Sequence, residues 1–279
     1  MQRLISKMIK FLYHAAEPMR AAWLNRSLLW TLVLREIQFR YKGSILGLMW
    51  ALITPLVMLV VYTFVFSVVF KMRWGTSDGS RAEFALLLYI GLMLFTIFSD
   101  CLSRAPALII SNSNYIKKVV FPIEILPLVT IGSSLFHFMV SFVIFLVAAI
   151  FFGGTIGLTI LLVPFLLIPF LLFICGIGWL LAALGVYFRD LQQITGSVVQ
   201  VLMFMTPIFY PASALPDQFQ VILMANPLSL PIEILRDLLY WHRLPNIVAW
   251  FVLFAQSILV MYIGFFFFQK VRKGFADVV

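Results

Sequence analysis

Charge is scarce in this chain. Only 11% of its 279 residues are Asp, Glu, Lys or Arg, and 63% are hydrophobic; soluble domains carry about 25% charged residues. No polar stretch reaches the size of a soluble domain, which excludes a soluble enzyme with an anchor. Cysteine is scarce too. Cys101 and Cys175 both lie in or beside apolar runs, so no structural disulfide is expected. No G-x-x-x-x-G-K-[ST] loop occurs, which excludes nucleotide binding of that kind. His, Cys and carboxylates never cluster at metal-ligand spacing, and no Ser/His/Asp set can be assembled. The centres of the apolar runs hold no Asp, Glu, Lys or Arg, the residues that ion-coupled carriers place at depth. If the chain moves a solute, the energy comes from another chain.

What is present is apolar sequence in span-length blocks. A crossing needs about 20 mainly apolar residues. Six segments qualify: Ile45–Phe70, Phe84–Leu102, Ile125–Phe152, Leu158–Tyr187, Leu191–Tyr210 and Ile247–Phe268. Pro55, Pro164, Pro169 and Pro207 fall inside them, where each removes a backbone donor and bends its helix. The fold class that follows is an all-α, six-span membrane protein.

The net charge of +9 reads as topology, not nucleic-acid binding, because the basic residues gather between the spans. With both termini inside, Arg3, Lys7, Lys10, Arg20, Arg26, Arg35, Arg40, Lys42, Arg104, Lys117, Lys118, Arg189, Lys270, Arg272 and Lys273 are cytoplasmic. Only Lys71, Arg73, Arg81, Arg236 and Arg243 are outside, and this asymmetry fixes the expected orientation. Residues 1–24 mix Arg3, Lys7, Lys10, Glu17 and Arg20 with short apolar stretches, so no cleavable signal peptide is expected.

At Arg40-Tyr41-Lys42 a charged amphipathic segment meets the first apolar run. The chain is expected to lie along the membrane surface before entering it near Lys42. Residues 1–44 therefore read as a cytoplasmic segment with an interfacial helix, and residues 45–279 as the six-helix domain. Within that domain, 102–122 is a cytoplasmic loop, 211–246 an outer connection and 269–279 a cytoplasmic tail. The outer connection contains two short helix candidates, Asp217–Met224 and one that follows Asn226-Pro227. In the second, Ile232, Leu235, Leu238 and Leu239 recur at helical spacing, with Glu233, Arg236 and Asp237 expected opposite. Pro231 suits its first turn. Too short and polar to span, the pair could re-enter the outer leaflet.

Six stretches, in order, resemble the membrane subunit of bacterial ABC-2 type exporters of lipid-linked polysaccharides, the O-antigen and teichoic-acid type. They are 34–42 (LREIQFRYK), 47–56 (GLMWALITPL), 117–127 (KKVVFPIEILP), 188–191 (FRDL), 206–210 (TPIFY) and 226–228 (NPL). The resemblance implies a transport subunit, not an enzyme. It implies a homodimer in the bacterial inner membrane, paired with two ATP-hydrolysing subunits that bind ATP and Mg, and an undecaprenyl-diphosphate-linked glycan as cargo. It also implies that 23–42 gates the cytoplasmic mouth, that the 102–122 loop docks into the ATPase, and that 211–246 forms an outer gate with Asn226, Pro227, Glu233 and Arg236. The alternatives are a drug or small-lipid exporter of the same superfamily, a teichoic-acid or capsule-precursor exporter, and an integral-membrane glycosyltransferase. The last is disfavoured because Asp100, Glu124 and Asp190 are dispersed.

Several residues carry two readings. Arg35, Arg40 and Lys42 are either surface anchors or contacts to lipid phosphate, which Arg can grip bidentately. Glu36 and Arg40 form an i,i+4 pair. Asn114, Tyr115, Ile116 and Lys117 form either a solvated loop or an aromatic-anchored ATPase contact. Asp190 is expected to cap the fifth helix, and Asp100 to pair with Arg104 at a helix end. His137 either satisfies itself within the bundle or meets sugar in a channel. Gln200 is a second uncharged mid-span polar group. Tyr62, Phe66, Phe204 and Phe209 are the aromatic channel-lining candidates, and Trp74 is expected in the interfacial belt.

Overall fold

The computed structural model describes residues 19–71, 74, 80–114 and 121–278. Among the described residues there is no strand. Helix α1, Arg26–Tyr41, opens after a break at Asn25, whose side chain donates to the Ala21 carbonyl at 2.8 Å. It ends where Lys42 turns extended and Gly43 adopts φ +84°, a left-handed conformation that suits glycine. Trp23, Trp30 and Phe39 stand exposed along this segment. Apolar and charged side chains are spread around α1 and only Leu32 and Val33 are buried, so the expected amphipathic character is not seen.

Helix α2, Trp50–Tyr62, continues as a π-helix over Thr63–Val69. The other long helices are α3 (Arg81–Arg104), α4 (Leu126–Phe151), α5 (Val163–Tyr187) and α9 (Ile247–Val271). Between α5 and α9 come α6 (Leu191–Met205), α7 (Asp217–Ala225) and α8 (Ser229–Leu239). Among the described residues, five segments are long and apolar enough to cross a membrane: Gly47–Val69, Arg81–Ser111, Ile123–Phe151, Leu158–Tyr187 and Ile247–Gly274.

The fifth expected span is shorter than its apolar run. Helix α6 has 15 residues, about 22 Å at 1.5 Å per residue, against a hydrocarbon core of about 30 Å. Proline chemistry ends it. A residue before proline is pushed from the helical region, and Thr206 sits extended at ψ 141° ahead of Pro207. Pro207 therefore follows the helix and does not bend it. Pro164 likewise falls in the first turn of α5, where its missing donor costs nothing. Pro55 and Pro169 are the two inside helices.

Helix α3 is the hub. Its apolar side chains are buried almost all round, from Phe84 to Leu102, and it contacts α2, α4, α5, α6 and α8. Small residues set the closest approach elsewhere, as expected where lipid provides no hydrophobic drive between helices. A Cβ on Gly264 would lie 1.9 Å from the Gly176 carbonyl oxygen, and one on Gly176 would lie 2.4 Å from the Val260 oxygen. These two glycines let the α5 and α9 backbones touch.

Candidate functional site

At the Lys42 end of the bundle, α1 is fastened across α3 and α4. Gly132 on α4 makes room for it, since a Cβ there would lie 2.6 Å from Val33 Cγ2. Arg40 Nη2 donates to both Asp100 carboxylate oxygens, at 2.8 and 2.9 Å. Ser134 donates to the same carboxylate at 2.5 Å, and Arg104 Nη1 lies 3.6 Å from it. Glu36 pairs with Arg104. The expected Glu36–Arg40 pair within one helix is thus replaced by two pairs between helices. One turn of α1 faces one turn of α3, so each charge finds its opposite across the interface. Sequence spacing sees only partners on the same helix.

Tyr41 Oη lies 3.2 Å from His137 Nδ1, and the rings meet edge to face. Burial raises the Tyr41 phenol above its ordinary value; Arg40 opposes the shift and Asp100 adds to it.

Behind this fastening a cavity of about 460 Å³ runs between α2, α3 and α4. Arg40, Tyr41 and Trp50 lie at its Lys42 end, and Tyr62 and Tyr89 further along. Thr54, Thr96, Ser99, His137 and Ser141 put hydroxyl and imidazole groups on its wall. Met58, Leu92, Met93 and Phe95 supply the apolar remainder. A cleft of this mix, inside an apolar bundle, can exchange hydrogen bonds with a polyhydroxyl ligand and stack aromatic rings on it.

Tyr62 also belongs to a group of aromatic rings beyond the cleft. Tyr62 lies 5.3 Å from Phe209, edge to face, and Phe66 stacks on Phe209 at 4.5 Å and 18°. Phe204 lies 5.7 Å from Phe209. Four residues chosen from two separate spans therefore form one cluster. Phe209 is at its centre because the chain after Thr206-Pro207 folds back into the bundle, leaving Phe209 only 2% exposed. His137 belongs to the cleft. Gln200 is exposed on α6 and lines none of it, since a 15-residue helix turns that side away.

The charged candidates separate. Arg40 lies at the cleft mouth. Arg35 lines a neighbouring cavity of about 230 Å³ with Glu36, Arg104, Asn112 and Gln192. Lys42 lies 6.0 Å over the Phe39 ring. Asn114 is exposed, and Tyr115, Ile116 and Lys117 lie outside the described residues. Asp190 stands at the start of α6 without a capping hydrogen bond, because its own backbone is already helical at φ −70°, ψ −13°.

At the opposite end, Asn226 joins α6 to the short pair. Its amide donates to Thr206 Oγ1 at 2.8 Å, and its carbonyl accepts from the Leu228 amide at 2.9 Å. Pro227 sits in that turn. With Ser229 and Glu233, Asn226 lines a cavity of about 500 Å³.

Helix α8 buries Ile232, Leu235, Leu238 and Leu239 as expected and leaves the Glu233 side chain partly exposed, but one residue departs. Arg236 was expected on the polar side and is fully buried. Its Nε donates to the Leu87 carbonyl and its Nη2 to the Ile208 carbonyl, both at 3.2 Å. Nη1 donates to Glu233 at 2.8 Å, and Trp74 covers the guanidinium at 4.2 Å. Trp74 is accordingly 6% exposed and not part of an interfacial belt. Burial lowers the Arg236 pKa to about 10, with Glu233 opposing, so the group stays charged at neutral pH. The spacing contained the signal: Arg236 lies four residues after Ile232 and three before Leu239, on their face of the helix.

A charged helix laid across α3 and α4, five helices long and apolar enough to cross a membrane among the described residues, and a short pair of which α8 is buried form one arrangement. Residues 27–240 match the family model described as ABC-2 type transporter. The chain belongs to that family. It is 29% identical over 260 residues to the O-antigen export system permease protein RfbA of Myxococcus xanthus, covering 92% of this chain and 97% of that one. To the protein of the same name from Klebsiella pneumoniae it is 26% identical over 246 residues, 88% and 92% of the two chains. The polysialic acid transport protein KpsM of Escherichia coli is 29% identical over 210 residues, 74% of this chain and 78% of that one. This ABC-2 chain is a multi-pass membrane transport subunit.

Proposed function

We propose that the chain is the permease of an ATP-driven exporter of a lipid-linked, O-antigen-like polysaccharide in the bacterial inner membrane. Two copies pair with two ATP-hydrolysing chains, which bind ATP and Mg; this chain needs no cofactor. Both termini are cytoplasmic, so the Lys42 end is the entrance and the Trp74 end the exit. Residues 1–44 carry the gate helix, 45–279 the membrane domain, and Asn114–Lys117 the contact to the ATPase.

The observation that carries the reading is the cleft: Arg40 at its mouth, hydroxyls and His137 along its wall, and the Tyr62/Phe66/Phe204/Phe209 cluster ahead. In this mechanism ATP-driven closure of the partner pushes on the Asn114–Lys117 region and on α1. The Arg40–Asp100 and Glu36–Arg104 pairs part, and α1 swings from the mouth. An undecaprenyl-diphosphate headgroup then exchanges for Asp100 as the anion held by Arg40, with Arg35 and Lys42 nearby on the same helix. The glycan follows past rings and hydroxyls that offer many weak, exchangeable contacts. A translocating chain requires such contacts, because one strong site would stall it. Asn226, Pro227, Glu233 and Arg236 belong to the exit gate.

Deleting the gene tests this. Surface polysaccharide is lost and lipid-linked glycan accumulates inside; complementation with Arg40→Ala restores less than a tenth of the export. Full surface polysaccharide in the deletion strain refutes the proposal.

A further inference from the structure

Arg236 is costly to bury, and the cost is offset only where the surrounding groups satisfy its donors and its charge. Its donors go to two different backbones. Leu87 lies in the second turn of α3, and Ile208 lies in the stretch that breaks away from α6, one residue before Phe209. Gly91 on α3 gives it room: a Cβ there would lie 3.1 Å from Arg236 Nη2 and 3.4 Å from Ile208 Cγ2. Three elements, α3, the Thr206–Tyr210 stretch and α8, thus share one cation. The side of the aromatic cluster that carries Phe66 is built differently. The Thr63–Val69 stretch is π-helical and has no buried residue, and the Thr63 hydroxyl is shielded without a hydrogen-bond partner. π-Helical segments inside α-helices are marginal in geometry and recur at functional sites.

Resting on the exporter reading, we propose that Arg236 is the positioning residue of the exit closure: it locks α3, Ile208–Phe209 and α8 into one block, and the closure opens by movement of the π-helical Thr63–Val69 stretch that carries Phe66. Phe209 is the fixed stop and Phe66 the moving one. Uncoupling Arg236 frees Phe209, and the closure leaks without ATP.

The test uses the full chain with its ATPase partner in liposomes, and reads passive potassium efflux without ATP. Wild type is tight. Arg236→Gln leaks at least tenfold faster, and Gly91→Ala, which presses on the cation from the opposite element, leaks to an intermediate degree. Phe209→Ala also leaks, and adding Arg236→Gln to it raises the leak no further, because both remove one stop. A fully inserted Arg236→Gln protein that stays tight overturns the proposal, as does a leak that adds to that of Phe209→Ala. If Arg236→Gln fails to insert, Gly91→Ala decides, since it keeps the arginine. A thiol cross-link between Phe66→Cys and Phe209→Cys halts export and is relieved by reductant; export through the cross-linked chain overturns the moving part. Wild-type vesicles that never export glycan would sink the exporter reading and leave the leak result standing.

Discussion

Asp100→Asn removes one charge from the fastening of α1 and leaves the shape. Asp100 receives Arg40 through both oxygens and also accepts from Ser134. The Arg40 and Asp100 side chains are 30% and 21% exposed, so water screens the pair only in part. Unit charges about 4 Å apart attract by about 4 kcal/mol at an effective dielectric near 20. Much of that is offset by desolvation, and asparagine keeps a neutral hydrogen bond to Arg40. A net loss of about 1–2 kcal/mol remains, a factor of about 5–30 in the equilibrium between docked and undocked α1. The assay is maleimide labelling of Thr54→Cys, which lines the cleft behind α1. In Asp100→Asn the labelling rate rises about tenfold, and removing Arg40 in the same protein adds little further, because the two are one interaction. A rate within twofold of the parent, in protein inserted at the same level, would refute the idea that this ion pair holds the mouth closed.

Other expectations follow from the same geometry. Charge exchange at the second pair, Glu36→Arg with Arg104→Glu, restores part of the export that either single change reduces about tenfold, measured as surface polysaccharide; recovery is incomplete because the carboxylate introduced at position 104 faces Asp100. Gly264→Leu forces the α5 and α9 backbones apart and costs about 3 kcal/mol or more, seen as a fall in the Tm of the detergent-purified protein. Asn226→Ala leaves the Leu228 amide without its partner, a cost of about 1–3 kcal/mol; faster proteolysis between 211 and 228 in right-side-out vesicles measures it. Tyr41 makes α1 docking sensitive to alkali alone. Its phenol is held above the ordinary value of 10, so the contribution is complete below pH 10 and is lost as pH climbs through the raised value. Because maleimide attacks the thiolate, the Thr54→Cys labelling rate is read as a ratio to that of the same cysteine in Tyr41→Phe protein; the ratio is flat from pH 6 to 9 and rises above 10.

The spans were legible in the residues because lipid demands long uncharged helices, and composition alone meets that demand. Leu158–Tyr187 appears with the expected bounds, and the other four crossings shift by only a few residues at most ends. The second helix of the short pair was legible too, through the periodicity of Ile232, Leu235 and Leu239. The family stretches that carried the resemblance fall within the matched 27–240 region.

What sequence order determined here is where the chain is apolar, where it turns and on which stretches charge sits; those depend on neighbours within a few residues. Which charge meets which was decided only by the tertiary structure. Glu36 has Arg40 one turn away yet pairs with Arg104, and Arg236 is enclosed by Leu87, Ile208 and Trp74 from three distant parts of the chain. A cation inside an apolar bundle takes whatever carbonyls, carboxylates and rings the packed helices present, and their placement is a property of the packing.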